Sequence, residues 1–163
     1  MKSIIIGTSL AGKTTIIRKL RQDDSLHISE MDEKLTEINE GKFPSDPVLK
    51  HNVLAPKVIS QILELEDIIF FTNTNYFTEE ELAYAKEKGF VIIQLQISLD
   101  ELKLRNIKRM DEEEYEDMGK WLEGMLEYQE EIKNAGLVDK IIDATQPTNE
   151  VITELLQTIK NHG

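Results

Sequence analysis

A glycine-containing loop near the start of the sequence has the residue types and spacing that bind a phosphate chain. Residues 7–14 read Gly-Thr-Ser-Leu-Ala-Gly-Lys-Thr, the full pattern G-x-x-x-x-G-K-[ST], between an apolar run and a helix-patterned stretch. Glycines let such a loop turn sharply and bring backbone N–H groups close to an anion, and the following helix adds its positive N-terminus. The residues expected to contact the phosphates are Gly7, Thr8, Ser9, Leu10, Ala11, Gly12, Lys13, Thr14 and Thr15.

Three side chains of this loop carry the expected chemistry. Lys13 is placed to reach the β- and γ-phosphates of a nucleotide, and the Thr14 hydroxyl is placed to bind Mg²⁺. Thr15 is placed for a further phosphate contact. The chain has 31 Asp and Glu residues against 19 Lys and Arg, a formal net charge of −12. Any phosphate site in so acidic a protein must therefore be a local concentration of positive groups.

The four arginines are further candidates for phosphate recognition, because a guanidinium group suits both phosphates and aromatic planes. They are Arg18, Arg21, Arg105 and Arg109. The last two are spaced i, i+4, so both side chains leave one face of a helix. The alternative for that pair is a surface pair bonded to Glu101 or Asp111. The first two follow the loop along its helix and are expected on a solvated face.

Length and composition bound the class of protein. The 163 residues suit one domain, and the absence of cysteine removes disulfides, thiolate metal sites and Cys-based catalysis. The excess of acids argues against nucleic acid or an anionic membrane as a partner. No apolar run approaches the length of a membrane span, and the N-terminus does not read as a signal peptide. We expect a single cytoplasmic domain over residues 1–163.

Five short apolar runs alternate with helix-patterned stretches, which predicts an α/β domain with a mostly parallel sheet. The second run alternates apolar and polar residues, which is typical of an edge strand, while the others are dense in Ile, Val or Phe. The predicted strands are Lys2–Ile6, Leu26–Glu30, Asp67–Thr72, Phe90–Ile97 and Val138–Ile142.

Helix signals fill the gaps between these strands. Capping boxes are predicted to begin two helices, one at residues 78–81 and one at residues 98–101, and Gly89 should end the first. A long amphipathic helix is predicted from Tyr115 to near Gly136, with Trp121 on its buried stripe. The acidic run at residues 111–117 should then form a solvated helix start. Further predicted helices span Thr14–Arg21, Pro56–Leu65 and the residues from Val151 onward.

The chain resembles the P-loop small-molecule and nucleoside or nucleotide kinases, a transferase family. Residues 7–14, the Walker A pattern, carry the resemblance together with Val91–Met110 and Val138–Thr145. Guanine-box, switch and L-S-G-G-Q motifs are missing, and the chain is too short for helicase or AAA modules. The resemblance implies a P-loop NTPase fold, a three-layer α/β/α sandwich around a five-stranded parallel sheet of order 2-3-1-4-5. It also implies ATP and Mg²⁺ as cofactors and a small molecule as acceptor.

The resemblance assigns roles to three further residues. In such kinases a paired arginine lies on adenine and its neighbour reaches the transferring phosphate, which implies these roles for Arg105 and Arg109. A carboxylate at the end of the second strand orients the acceptor or its proton, and Glu30 and Asp32 stand there. We favour Asp32; a helix N-cap or a solvated acid is the alternative for either. The resemblance also implies an acceptor-binding region at about residues 32–66 and a reduced lid at about residues 105–118.

Two departures from the family pattern bear on function. The third strand ends in Thr72 and Asn73 where a Walker B aspartate is expected, which weakens the Mg²⁺ assignment. No arginine lies between residues 21 and 105, where nucleotide monophosphate kinases hold the acceptor phosphate. We therefore lean towards a hydroxyl acceptor on a nucleoside or other small metabolite, bound by a monomer or homodimer. The alternative is an ATP-binding NTPase or a nucleotide-dependent regulatory protein without transfer activity.

Overall fold

Five parallel strands form one sheet in the order β2-β3-β1-β4-β5 in the computed structural model, which describes residues 1–162. The strands are β1 (Lys2–Gly7), β2 (Ile28–Glu30), β3 (Ile68–Thr72), β4 (Val91–Gln96) and β5 (Lys140–Asp143). The predicted strand order is confirmed. All five predicted strands exist, and β2 lies at an edge, as its alternating sequence indicated.

Helices cover both faces of the sheet, so the three-layer prediction is confirmed. They are α1 (Lys13–Leu20), α2 (Met31–Ile38), α3 (Pro47–Leu49), α4 (Ala55–Ile62), α5 (Glu79–Glu87), α6 (Leu99–Glu113), α7 (Gly119–Asn134) and α8 (Thr148–His162), with a π-helical turn at Lys50–Leu54. Ile5 of β1 packs into one core with α1 and α8, while Ile4 and Ile6 pack into the other with α2, α4 and α5. Successive side chains of the buried strand β1 point to opposite faces of the sheet and so contribute to two cores.

Strand β2 is shorter than its sequence suggested and does not continue to Asp32. Helix α2 begins at Met31, directly after the strand, because Met31 and Leu35 turn one helical face into the core. Glu30 is therefore the last residue of β2, and Asp32 lies in the first turn of α2. An acidic residue in a first helical turn is favoured by the helix dipole.

The acidic run does not begin the long helix, contrary to the prediction. Helix α6 continues to Glu113, Glu114 takes a left-handed conformation (φ 54°), and α7 begins only at Gly119. Asp117 accepts hydrogen bonds from the Gly119 backbone N–H (2.8 Å) and from the Asn106 side chain (2.7 Å). This network starts α7 four residues later than Tyr115, and it holds the pKa of Asp117 below its usual range.

The prediction that Trp121 is a core residue is wrong. The later start of α7 leaves the Trp121 side chain 51% exposed, while Leu122 is fully buried. Trp121 and Leu122 are about 100° apart around a helix, so only one of them can face the core. Leu122 belongs to the core on the α1 and α8 side of the sheet.

The two predicted capping boxes differ in outcome. Thr78 and Glu81 cap α5 reciprocally, as predicted. At α6 the Ser98 hydroxyl accepts from the Glu101 N–H (3.2 Å), but the Glu101 carboxylate pairs with Arg105 instead of returning to the cap. An i, i+4 ion pair on the same helix has thus replaced half of the capping motif. Within residues 1–162, none of the helices combines the length and apolarity needed to cross a bilayer.

Candidate active site

A cleft of about 470 Å³ lies where the carboxyl ends of β1, β2 and β3 meet. Four parts of the chain line it: the loop at residues 7–14, called the phosphate-binding loop below after its predicted role, with the start of α1; the β2–α2 junction; the end of β3; and the last two turns of α6. The central strand β1 pairs with β3 on one side and β4 on the other, so the loop after β1 leaves the sheet at its middle. Ligands of open parallel sheets bind at this edge.

The phosphate-binding loop folds around the side chain of Lys13. The Lys13 ammonium donates hydrogen bonds to the Gly7 carbonyl oxygen (2.6 Å) and the Thr8 carbonyl oxygen (2.8 Å). A Cβ at Gly7 would lie 3.3 Å from both Cγ and Cδ of Lys13, so the glycine makes room for the lysine stem. Gly12 has φ 90°, a conformation that glycine adopts at no steric cost.

Burial in this loop lowers the pKa of the Lys13 ammonium to about 8, and the charges of Asp32 and Glu30 partly oppose that shift. A desolvated ammonium whose donors meet only neutral carbonyl oxygens lacks the anionic partner that would stabilise its charge. A triphosphate in the cleft would supply that charge. This arrangement supports the predicted role of Lys13, which stays a prediction.

The residues of the loop divide into those that line the cleft and those that support it. Ser9, Leu10, Gly12, Lys13 and Thr14 line the cleft. Gly7 and Thr8 provide the carbonyl oxygens for the lysine, and the Thr8 and Ala11 side chains are buried. Thr15 is exposed and does not line the cleft, so its predicted phosphate contact has no support in this geometry.

Glu30 and Asp32 both line the cleft, although a helix boundary separates them. Asp32 is accessible to water, yet the surrounding protein limits its hydration and raises the pKa of its carboxyl above the usual range. The pKa of Glu30 is also raised, by burial first and then by the negative charge of Asp32. The charge of Lys13 opposes both shifts. The β2–α2 junction thus brings two coupled carboxyl groups close to the loop lysine.

Asn73, at the position expected for a Walker B aspartate, connects β3 to the phosphate-binding loop. Its side-chain amide donates to the Ser9 hydroxyl (3.1 Å), and its amide oxygen accepts from the Thr74 N–H (2.7 Å). The Thr72 hydroxyl donates to the Asn73 carbonyl oxygen (3.1 Å). Both Thr72 and Asn73 line the cleft with neutral polar groups.

Arg105 and Arg109 lie on one face of α6, as their spacing predicted, and have different partners. The Arg105 guanidinium donates to the Leu10 carbonyl oxygen (2.9 Å) and to Glu101 (3.2 Å), and Arg105 is not among the residues that line the cleft. Arg109 does line it; its guanidinium pairs with Glu113 (3.3 Å) and lies 3.9 Å from the centre of the Tyr115 ring. The predicted adenine contact of Arg105 and phosphate contact of Arg109 stay predictions.

Sequence reasoning missed several cleft residues. Lys108, Glu112 and Glu113 line the cleft beside Arg109, because α6 extends two turns past Arg105. Tyr76 does not line the cleft but contacts Asp32, and it was also missed; its hydroxyl lies 3.5 Å from Asp32 Oδ1, a contact across 44 residues that has no local signature. The i, i+3 and i, i+4 spacing of the two glutamates from Arg109 was the one signal that placed them on its helix face. Arg21, by contrast, does not line the cleft. Its guanidinium forms a bidentate pair with Glu33, with both hydrogen bonds at 2.7 Å.

The chain has the fold of small P-loop kinases. No protein-family profile matches it, and no curated protein matches it in sequence. Shikimate kinase from Aquifex aeolicus vf5 superposes with a TM-score of 0.73 at 16% identity, covering 99% of this chain and 97% of that chain. Shikimate kinase from Acinetobacter baumannii in complex with shikimate gives 0.74 at 14% identity, covering 99% and 94%. Deoxyadenosine kinase from M. mycoides gives 0.62 at 18% identity, covering 100% of both chains. At these identities the likeness establishes the shared fold.

Proposed function

We propose that this protein is an ATP-dependent phosphotransferase that moves the γ-phosphoryl group of ATP to a small molecule. One observation carries the proposal: a single cleft brings together the phosphate-binding loop with Lys13, the carboxylate of Asp32 and the guanidinium of Arg109. Phosphoryl transfer requires this combination, with positive groups for the transferring charge and a carboxylate beside the acceptor. The acceptors of the structural neighbours, shikimate among them, are small molecules, which suits a cleft of this size.

The reaction would be a direct in-line transfer. The acceptor hydroxyl oxygen attacks the γ-phosphorus, and the bond from that phosphorus to the β,γ-bridging oxygen breaks. ADP leaves, and the hydroxyl proton passes to the carboxylate of Asp32, which orients the hydroxyl beforehand. Lys13 and Arg109 would stabilise the charge on the transferring group.

The donor set in the cleft fits a Mg²⁺ ion carried with the nucleotide. Thr14 offers a hydroxyl, and Asp32 and Glu30 offer carboxylates, all of them the hard oxygen ligands that Mg²⁺ prefers. Within residues 1–162, no group of three or more His, Cys, Asp or Glu side chains could hold a metal ion alone. Mg²⁺ commonly binds through one or two protein ligands and the substrate's phosphates, so this set suffices. When bound, the ion would neutralise charge on the β- and γ-phosphates.

An acceptor screen by coupled ADP release tests the proposal, with Lys13→Ala as the blank. We expect one class of small hydroxylated compounds to raise ADP release well above the rate with ATP alone, and phosphate to appear on the acceptor. Release of phosphate to water alone, for every compound, would instead identify an NTPase.

A second candidate is a nucleotide-dependent regulatory protein without transfer activity. The observation that favours it is Asn73, which bonds to Ser9 and Thr74 where catalytic relatives are expected to carry an aspartate. Calorimetry separates the two candidates. ATP binding without turnover, together with a partner protein whose affinity changes with the nucleotide, would support the regulatory role. Phosphorylation of an acceptor would exclude the regulatory role.

A further inference from the structure

Asp32, which lines the cleft, also contacts a small aromatic cluster around Tyr76. The Tyr76 hydroxyl donates towards Asp32 Oδ1 (3.5 Å), and the His51 ring stacks on the Tyr76 ring with centroids 5.0 Å apart. The Lys50 ammonium lies 5.9 Å from the centre of the Tyr76 ring and 5.3 Å from that of Phe43. These residues, 43, 50, 51 and 76, are called the aromatic cluster below.

Lys50 is the unusual member of this cluster. Its side chain is half-buried, and within residues 1–162 its ammonium makes neither an ion pair nor a hydrogen bond. Other lysines of the predicted acceptor region differ: Lys34 pairs with Glu37 (3.3 Å), and Lys42 and Lys57 are exposed to solvent. Contact with ring faces offsets part of the cost of holding a cation here, but it leaves the donors of the ammonium free for an anion.

The backbone before α4 brings two consecutive side chains onto the same ring. Lys50 and His51 begin the π-helical turn, and both contact Tyr76. Pro56 follows this turn and lacks the N–H that an α-helix would donate to the Asn52 carbonyl oxygen, so a regular helix is disfavoured here. Single π-turns inserted in helices recur at functional sites.

The charge of Lys50 also reaches Asp32, where it lowers the pKa of the carboxyl against the effect of burial. Tyr76 contacts both the Asp32 carboxyl and the free Lys50 ammonium, so these two groups belong to one site. A molecule that presents a hydroxyl to Asp32 meets Tyr76 next to that carboxyl, and the Lys50 ammonium lies over the Tyr76 ring. A single ammonium acts as a point charge and suits one anionic group, whereas a bidentate phosphate clamp would use arginine.

We propose that Lys50 binds an anionic group of the acceptor, so that the acceptor is a small hydroxylated molecule carrying a carboxylate or a phosphate. This inference rests on the proposed function and specifies its substrate class. It also narrows the expectation from sequence, which was a hydroxyl acceptor on a nucleoside or other small metabolite.

Calorimetry of the full chain without nucleotide tests this inference with matched pairs of acceptors. The pairs are shikimate and its methyl ester, gluconate and glucitol, and deoxycytidine monophosphate and deoxycytidine. The first two carry carboxylates and the third a phosphate, so the pairs also separate the two sources of negative charge. We expect the anionic member of at least one pair to bind about tenfold or more tightly than its neutral partner, as a charge-assisted hydrogen bond implies.

Two variants assign the preference to its residue. Lys50→Gln should reduce the preference to less than about twofold, since it keeps a polar side chain but removes the charge. Lys57→Gln, an exposed lysine of the same segment, should leave it unchanged. Binding of an ATP analogue confirms that each variant is folded. Should Lys50→Gln not fold, titrations of the native protein with added salt give the second measurement. Salt should weaken the binding of the anionic compounds and leave the binding of the neutral compounds unchanged.

Equal binding within every pair would overturn the inference, as would binding of none of the anions or a preference that survives in Lys50→Gln. None of these measurements needs turnover. A protein that shows the Lys50-dependent preference but never phosphorylates the bound anion would support this inference and contradict the proposed function.

Discussion

The Arg105 guanidinium donates a hydrogen bond to the Leu10 carbonyl oxygen at 2.9 Å and so ties α6 to the phosphate-binding loop. Leu10 has φ 71°, a left-handed conformation that is unfavourable for a residue with a branched side chain. Glu101 holds the other side of the same guanidinium. The shape of the loop therefore depends on a residue of the helix that also carries Arg109.

Replacing Arg105 should weaken the binding of nucleotide through the loop. We expect Arg105→Ala to raise the Kd of an ATP analogue about tenfold and to lower the free energy of unfolding by about 1 kcal/mol, since it removes a charged donor from Leu10. Inorganic triphosphate is the informative second ligand. If the affinity for triphosphate falls as much as the affinity for ATP, the substitution acts through the loop. If only the affinity for ATP falls, Arg105 contacts adenine. Arg18→Ala, an exposed site on α1, serves as the control.

Nucleotide binding should take up a proton at mildly alkaline pH. The pKa of Lys13 is lowered to about 8 in the free protein, so above that pH the free lysine is mostly neutral. A bound triphosphate favours the charged form and raises the pKa again. Calorimetry in buffers of different ionisation enthalpy should then show net proton uptake near pH 8.5, with weaker ATP affinity there than at pH 7. Lys13→Arg, which stays charged, should bind ATP without proton uptake. Proton uptake that persists in this variant would show that another group takes up the proton.

Asp32→Asn should abolish most of the transfer while sparing nucleotide binding. Removal of a general base lowers kcat by roughly 10²–10⁴-fold, whereas the Kd of an ATP analogue should change little, because Lys13 and the loop remain. Glu30→Gln alters the neighbouring carboxyl of the same cleft and is the matched control. An equal loss of kcat in both variants would contradict a distinct role for Asp32.

The same aspartate should give the stability of the protein a characteristic pH dependence. The pKa of Asp32 is higher in the folded protein than its ordinary value, so the folded state binds more protons between these two values. The free energy of unfolding then decreases as pH rises through that window. At neutral pH Asp32 is charged in both states, and its ionisation destabilises the fold by the full amount. Asp32→Asn should therefore raise Tm at pH 7 and leave it nearly unchanged below pH 4. A rise of equal size at both pH values would point to a cause other than ionisation.

Glu113→Gln should strengthen nucleotide binding. The Glu113 carboxylate pairs with Arg109 at 3.3 Å and lines the cleft, so it competes with the phosphates for that guanidinium. An i, i+4 pair of this kind contributes about 0.3–0.5 kcal/mol, which corresponds to a fall of about twofold in the KM for ATP. In an Arg109→Ala background the substitution should have no effect, and an undiminished effect there would show that Glu113 acts on another group.

The adjacent residues Trp121 and Leu122 should respond very differently to truncation. Trp121→Ala is expected to change the free energy of unfolding by no more than about 0.5 kcal/mol, because the side chain is largely in solvent. Leu122→Ala should cost about 2–5 kcal/mol, since it leaves a cavity in the core beneath α7. Urea unfolding measures both, and the emission of the single tryptophan should already be that of an exposed indole before unfolding.

Sequence reasoning found the features whose signals are local. The phosphate-binding loop was predictable because its residues are contiguous and each has a backbone or charge requirement. The strands were predictable because β1, β3 and β4 are buried on both faces over most of their length and so are rich in Ile, Val, Leu or Phe. The loop and the strand order together determine the location of the cleft.

What could not be predicted depends on contacts between distant segments. The start of α7 at Gly119 instead of Tyr115 depends on Asn106 and Asp117, which bond to each other across the turn at Glu114. The hydrogen bond between Tyr76 and Asp32 spans 44 residues. Such partners are chosen by tertiary packing, which leaves no periodic trace in the chain.

The shortness of strand β2 gives the two halves of the cleft unequal mechanical support. β2 has three residues and pairs with β3 alone, whereas β1, which carries the phosphate-binding loop, is paired on both sides. The ladder at the edge can fray at a small free-energy cost while the centre of the sheet stays closed. Local opening would thus displace Glu30 and the start of α2, leaving Lys13 in position. The side of the cleft built on β2 can therefore rearrange at a lower free-energy cost than the side built on β1.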